Sequence, residues 1–154
     1  MRTIFFTLLL FTILAPIYGV KSVSAADVQI SGLVDFNFGT WSSGILNLEN
    51  DLCVYKSADG SDYRVTATGS GSGGAYQITS GSNHISYTVA WARKNNAFTT
   101  LSSGAASNFD GANQSNTDCS GVMTATLRIQ FPEANLQAAV PGNYSGDLTI
   151  LIEP

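Results

Sequence analysis

The side chains of this 154-residue chain that bear on chemistry are one histidine, two cysteines, two Asp-Gly turns and a tryptophan set among small residues. His84 is the single side chain whose ordinary pKa lies near neutrality, so general-base catalysis would have to run through it. It follows Gly81-Ser82-Asn83, a turn sequence, and neither a Gly-x-Ser-x-Gly elbow nor a metal-type histidine spacing accompanies it. The reading is a solvated loop histidine in a chain that is not an enzyme. Asp59-Gly60-Ser61-Asp62 and Asp110-Gly111-Ala112-Asn113 cluster the oxygen ligands that calcium prefers. Each lacks a later bidentate carboxylate and reads as a plain turn, so no metal or cofactor is expected. Trp41 follows Gly39 among Ser and Gly and is the candidate surface-binding aromatic, a ring able to stack on a sugar or enter an apolar surface.

The N-terminus bears on compartment. Met1-Arg2, an apolar run over residues 4–14, then Pro16, Gly19 and Val23-Ser24-Ala25 have the layout of a secretory signal peptide, with cleavage expected after Ala25. The apolar run is shorter than the roughly 20 residues of a spanning helix, so the mature chain is expected to have no membrane span. Residues 26–154 hold five basic and eleven acidic residues, a formal net charge of −6, which disfavours nucleic acid as a partner. Cys53 and Cys119, in a chain bound for an oxidising compartment, are expected to form one disulfide that pins the polar stretch 108–120 to the strand at Cys53.

Residues 26–154 fit one domain. Their Gly, Ser, Thr, Asn, Val and Ile content, with little charge, favours strands over helices. Val28, Ile30, Gly32, Val34, Phe36 and Phe38 alternate, predicting one long strand or two joined near Gly32. Residues 52–56 and 63–68 are expected to pair around the turn 58–61. Strands are further predicted at 75–79, at 85–93 with Ile85, Tyr87, Val89 and Trp91 on one face, at 97–101, at 121–131 and at 144–152. The stretch 69–74 reads as a mobile glycine loop, and 136–140 as a bridge to the final turn. Seven to nine short strands predict an all-β, immunoglobulin-like β-sandwich.

The last strand follows Pro141-Gly142 and places Leu148, Ile150 and Ile152 on one face, which asks for a neighbour. Together with Asp35-Phe36-Asn37-Phe38-Gly39, Leu52-Cys53-Val54-Tyr55, Ile85-Ser86-Tyr87-Thr88-Val89 and Gly142-Asn143-Tyr144-Ser145-Gly146-Asp147-Leu148-Thr149-Ile150, the chain resembles the spore coat protein U family and the related archaic chaperone–usher pilus subunits. The resemblance implies a sandwich that lacks its final strand, a secreted route through the periplasm, and a place in a cell-surface fibre. It also implies partners: a periplasmic chaperone, an outer-membrane usher and neighbouring pilus subunits, which fill the groove by strand addition. On that footing Leu148, Ile150 and Ile152 are the candidate acceptor groove. Residues 26–34, with Val28, Ile30, Gly32 and Val34 in alternation, are either a donor arm or the first strand of the domain itself. In the second case the chain accepts a strand without donating one, as a tip subunit would. The disulfide departs from the resemblance, because such families bridge early strands and Cys119 lies late. The alternative reading is a self-complete secreted β-sandwich that binds a ligand, adhesin-like or carbohydrate-binding.

Overall fold

The computed structural model describes residues 26–58 and 60–154; the expected signal peptide, residues 1–25, and Asp59 lie outside the described residues. The described chain is all-β. It runs β1 (Val28–Ser31), β2 (Leu46–Lys56), β3 (Tyr63–Gly69), β4 (Gln77–Ser80), β5 (Asn83–Ser86), β6 (Thr88–Arg93), β7 (Thr99–Thr100), β8 (Ala106–Phe109), β9 (Ala125–Phe131), a short helix α1 (Glu133–Gln137) and β10 (Leu148–Glu153). The strands form a five-stranded sheet, β1-β2-β9-β6-β7, a three-stranded sheet, β10-β3-β8, and the separate hairpin β4-β5. Every strand pair is antiparallel. No helix among the described residues is long and apolar enough to cross a membrane.

The two larger sheets make a β-sandwich because each offers an alternating apolar face to the other. β9 contributes Ala125, Leu127, Ile129 and Phe131, β6 contributes Val89 and Trp91, and β3 answers with Tyr63, Val65 and Ala67, all buried in one core. The sheets are also tied by a polar contact. The Trp91 indole N–H donates to the Tyr63 hydroxyl at 3.1 Å, and Phe109 stacks near both rings. Burial pushes the Tyr63 hydroxyl pKa up, and the Trp91 hydrogen bond works against that rise. On the outer face of the larger sheet, Arg128 sits opposite Glu49 in register and bonds it while lying over the Phe98 ring. Asp51 accepts from Lys94 and from Thr126, and these hydrogen bonds hold its carboxyl below the usual carboxylate range.

Several expectations change. Residues 52–56 and 63–68 do not pair: β2 and β3 lie in different sheets, so the turn between them carries the chain across the sandwich. Both strands need a buried face, and Leu52 and Val54 meet Tyr63 and Val65 through the core rather than along an edge. Residues 85–93 split at Tyr87, whose N–H donates to the Tyr76 carbonyl at 3.0 Å, before the chain joins β9. That split, together with β8, which no predicted strand covers and which takes Asn108 and Phe109 out of the expected polar loop 108–120, brings the count to ten strands among the described residues. β2 begins at Leu46, well before residue 52, because β9 pairs with it from Leu46↔Phe131 onward. Within residues 136–140, Leu136 and Gln137 close helix α1, which Pro132 opens after ending β9. The glycine stretch 69–74 contains a short 3₁₀ turn. A Cβ on Gly69 would lie 2.2 Å from the Ala75 carbonyl oxygen, so the loop closes on itself there.

The disulfide joins Cys53 to Cys119. It also explains why alternation fails at the end of β2, where Leu52, Cys53 and Val54 are all buried. The loop before β9 covers the outer face of Cys53. Asn113 extends the cover as a one-residue strand: its N–H donates to Val54 O at 2.8 Å and its carbonyl accepts from Lys56 N at 2.9 Å. Ala125 is where β9 leaves β2, and this loop takes over the vacated edge.

Candidate functional site

β10 forms one edge of the three-stranded sheet. β3 is its hydrogen-bonded neighbour there, from Leu148↔Gly69 to Glu153↔Arg64. Leu148, Ile150 and Ile152 are half-buried, while Thr149 and Leu151 are exposed on the opposite face. Alternation thus places the three apolar side chains inward, as the sequence requires of them.

Opposite this edge lies the other half of the first predicted strand. Val28–Ser31 pairs with β2 in the register Val28↔Lys56 to Ser31↔Cys53, and Val28 and Ile30 pack against the core. Gly32 then turns at φ +85°, a conformation that favours glycine. Residues 33–38 leave the β2 ladder and form no strand. The alternation predicted through Phe38 still acts at the level of side chains. Phe36 and Phe38 stack at 6.1 Å, and Phe38 meets Phe131 edge to face at 4.9 Å.

Between residues 33–38 and the start of β10 runs a groove of about 610 Å³. Leu127, Ile129 and Phe131 of β9 and the Tyr87 ring reach it from the core, with Leu148 and Ile150 on one wall and Phe36 and Phe38 on the other. It continues past Ile78 and Tyr144 into a second cavity of about 810 Å³, lined by Phe38, Trp41, Leu46, Leu136 and Val140 among others. Leu33 and Val34 stand on the rim at 45% and 61% exposure. Hydrophobic side chains of both sheets are therefore reachable along a channel whose one wall is an edge strand. At the other end, β10 comes close to β1, and Ile152 lies toward that end, outside the groove lining.

The segment before β10 is fixed by backbone bonds on its far side. Ser145 and Thr79 exchange hydrogen bonds at 2.8 and 3.0 Å, and Ser70 N–H donates to Asp147 O at 3.0 Å. Gly146 passes so close to β4 that a Cβ there would lie 2.9 Å from the Gln77 carbonyl oxygen. The wall that ends in β10 is thus held by its neighbours.

The groove brings together Leu148, Ile150 and Val34 of the sequence candidates. Val28 and Ile30 lie on β1 within the chain's own sheet, and Gly32 forms the turn that follows. Trp41 is half-buried, donates its indole N–H to Gly44 O at 2.8 Å, and forms part of the second cavity's wall. His84 is exposed on β5, in register with Thr79, rather than in the turn. Among the described residues, no three His, Cys, Asp or Glu side chains come together as a metal site.

Sequence reasoning missed Phe36, Phe38, Tyr87, Leu127, Ile129 and Phe131 as groove residues. One signal was present: Phe36 and Phe38 continue an alternation over a segment with no partner of its own.

Burial pushes the Tyr87 hydroxyl up to about 12, with Tyr76 and then Asp147 adding to the rise. In an unfolded chain the group titrates near 10. Above that pH the unfolded state loses its proton first, so this contribution to stability declines as pH rises from about 10 through about 12. Tyr63 and Tyr76 are also pushed up by burial, so a spectrophotometric titration at alkaline pH is expected to show several late tyrosines, one of which vanishes in Tyr87→Phe. A Tyr87 that titrates with the exposed tyrosines would contradict its burial.

No family model matches the chain, and no curated protein matches it either. Among solved structures, it is similar to a chain of one described as "Chaperone-tip adhesin complex is vital for synergistic activation of CFA/I fimbriae biogenesis". The likeness has a TM-score of 0.58 at 20% identity and covers 84% of this chain and 41% of that one. What is shared at this identity is the fold, and this chain spans about two fifths of the other's length.

Proposed function

We propose that this chain is a non-enzymatic structural subunit of a secreted surface fibre, and that its groove accepts an extended strand beside β10. The observation that carries the reading is the open edge of β10 above core residues Leu127, Ile129 and Phe131. An incoming strand would bond to that edge through its main chain and set alternate apolar side chains into the groove. A periplasmic chaperone would fill the site first and a neighbouring subunit's arm afterwards, as in assembly through an outer-membrane usher. The fold likeness to a chain of a chaperone–tip adhesin complex supports this family of roles, as does the resemblance of the sequence motifs to those of spore coat protein U domains.

The pairing of Val28–Ser31 with β2 supports a subunit that receives a strand while keeping its own first strand at home. On this reading the chain occupies a terminal, tip-like position. Donor-strand exchange would then proceed in one direction at this subunit.

The test is co-expression of the exported chain with a candidate periplasmic chaperone. Ile150→Asp puts a charge on the groove wall and is expected to weaken capture roughly a hundredfold or more, because a buried unpaired carboxylate is costly. Leu151→Asp, on the exposed face of the same strand, is expected to leave capture unchanged while Ile150→Asp keeps its β-sheet circular dichroism. Equal capture of the two variants would contradict the proposal.

A further inference from the structure

A third cavity, of about 800 Å³, lies at the end of the sandwich away from the groove, among the C-terminal ends of β2, β6, β8 and β10. Three of the five basic residues in 26–154 converge on it: Lys56, Arg64 and Arg93. They outnumber the two carboxylates of the same lining, Asp62 and Asp110, in a domain where acidic residues outnumber basic ones eleven to five. The carboxylates Asp62 and Asp110, the amides Asn96 and Asn108 and the ring of Phe109 also line it.

The cations are positioned rather than loosely scattered. Lys56 continues the inward face of Leu52 and Val54, is only 6% exposed, and donates from Nζ to Asp62 O at 2.7 Å. Arg93 runs across Gly111, where a Cβ would lie 2.7 Å from its Nε, so the absent side chain leaves space for the guanidinium. Gly111 sits at φ +85° as well. Arg64 and Arg93 keep half of their side-chain surface exposed. Their acidic contacts are long, 3.7 Å from Arg64 to Glu153 and 3.5 Å from Arg93 to Asp110. Pairs this exposed and this long contribute little, and a better-placed anion can displace them.

We infer that this cavity binds an acidic saccharide. Its carboxylate or sulfate would engage Arg64 and Arg93, its hydroxyls would exchange hydrogen bonds with Asn96, Asn108 and Asp110, and its C–H face would lie on Phe109. Guanidinium groups suit a planar carboxylate, amides both donate and accept, and an aromatic ring covers the apolar side of a sugar. The site shares no lining residue with the groove and stands whether or not a strand binds there.

The test uses the exported protein, free and with its groove occupied, against matched saccharides: a uronic acid oligomer, a sulfated oligomer and their neutral counterpart. Binding of an acidic oligomer is expected in both forms of the protein. It should weaken roughly tenfold or more in Arg93→Ala and in Arg64→Ala, and fall as salt is raised. Asn108→Asp changes an exposed amide into a like charge with little effect on folding, and should reduce binding of the acidic oligomers. The inference is overturned by no saccharide binding, by equal binding of the neutral oligomer, or by binding that these three variants leave unchanged.

Discussion

Replacing both cysteines, Cys53→Ala with Cys119→Ala, is expected to cost about 4 kcal/mol of folding stability. The bridge spans 66 residues of sequence. In the chain-entropy model, releasing a loop of that length from the unfolded ensemble gives a loss of this size. For a domain of this length it corresponds to a midpoint roughly 15 °C lower in thermal unfolding. The native state loses something local too. The loop before β9 is held to the end of β2 by the disulfide and by the two hydrogen bonds of Asn113. Without the bridge, those two bonds and the hydrogen bonds of Thr124 with Leu52 and Val54 must hold the loop over position 53. Denaturant unfolding of the double variant measures the cost, and amide exchange at Val54, Lys56 and Asn113 should rise before the rest of the core. A loss below about 1 kcal/mol would mean that the loop is held by its hydrogen bonds and that the bridge adds little.

Trp91→Ala is the second large effect, expected at about 3–5 kcal/mol. The indole is fully buried, and it joins the two sheets by packing as well as by its N–H bond to Tyr63. Truncation leaves a cavity between the two sheets and removes the partner of the Tyr63 hydroxyl. Trp91→Phe separates these terms: it retains most of the volume and loses the hydrogen bond, so a cost of about 1–2 kcal/mol is expected. Equilibrium unfolding of the two variants checks the difference. Equal losses would assign the whole effect to the hydrogen bond rather than to packing.

Strands with strict alternation were legible in the sequence. β9 follows the predicted pattern through Leu127, Ile129 and Phe131, and β10 follows it through Leu148, Ile150 and Ile152. The disulfide was legible from compartment and cysteine count. What alternation does not carry is partner choice. Tyr87 keeps the phase of Ile85 and Val89, so nothing in the pattern marks the point where the chain changes partner. Nor does it tell a hairpin from a crossing, which is why β2 and β3 looked like neighbours. The N-terminal half of β2 was overlooked because Asn50 interrupts the apolar face of Leu46, Leu48 and Leu52 while Asn47, Glu49 and Asp51 fill the exposed face, and the long ladder with β9 outweighs their low strand propensity.

The groove was half visible. Its β10 wall came from three residues in one strand, whereas its floor comes from β9 and Tyr87, and its other wall from residues 33–38, all distant in sequence. The basic cavity left no local trace. Lys56, Arg64 and Arg93 are ordinary single charges until the strand ends gather them.

Amide hydrogen exchange on β10 tests the central claim most directly. Residues 26–154 are compared alone and with an extended peptide of alternating apolar residues matched to the groove. The account predicts that the β10 amides not paired with β3 exchange rapidly in the free chain and become protected when the peptide binds, with thermal stability rising as peptide is added. Full protection of these amides in the free monomer, with no change on adding peptide, would contradict it.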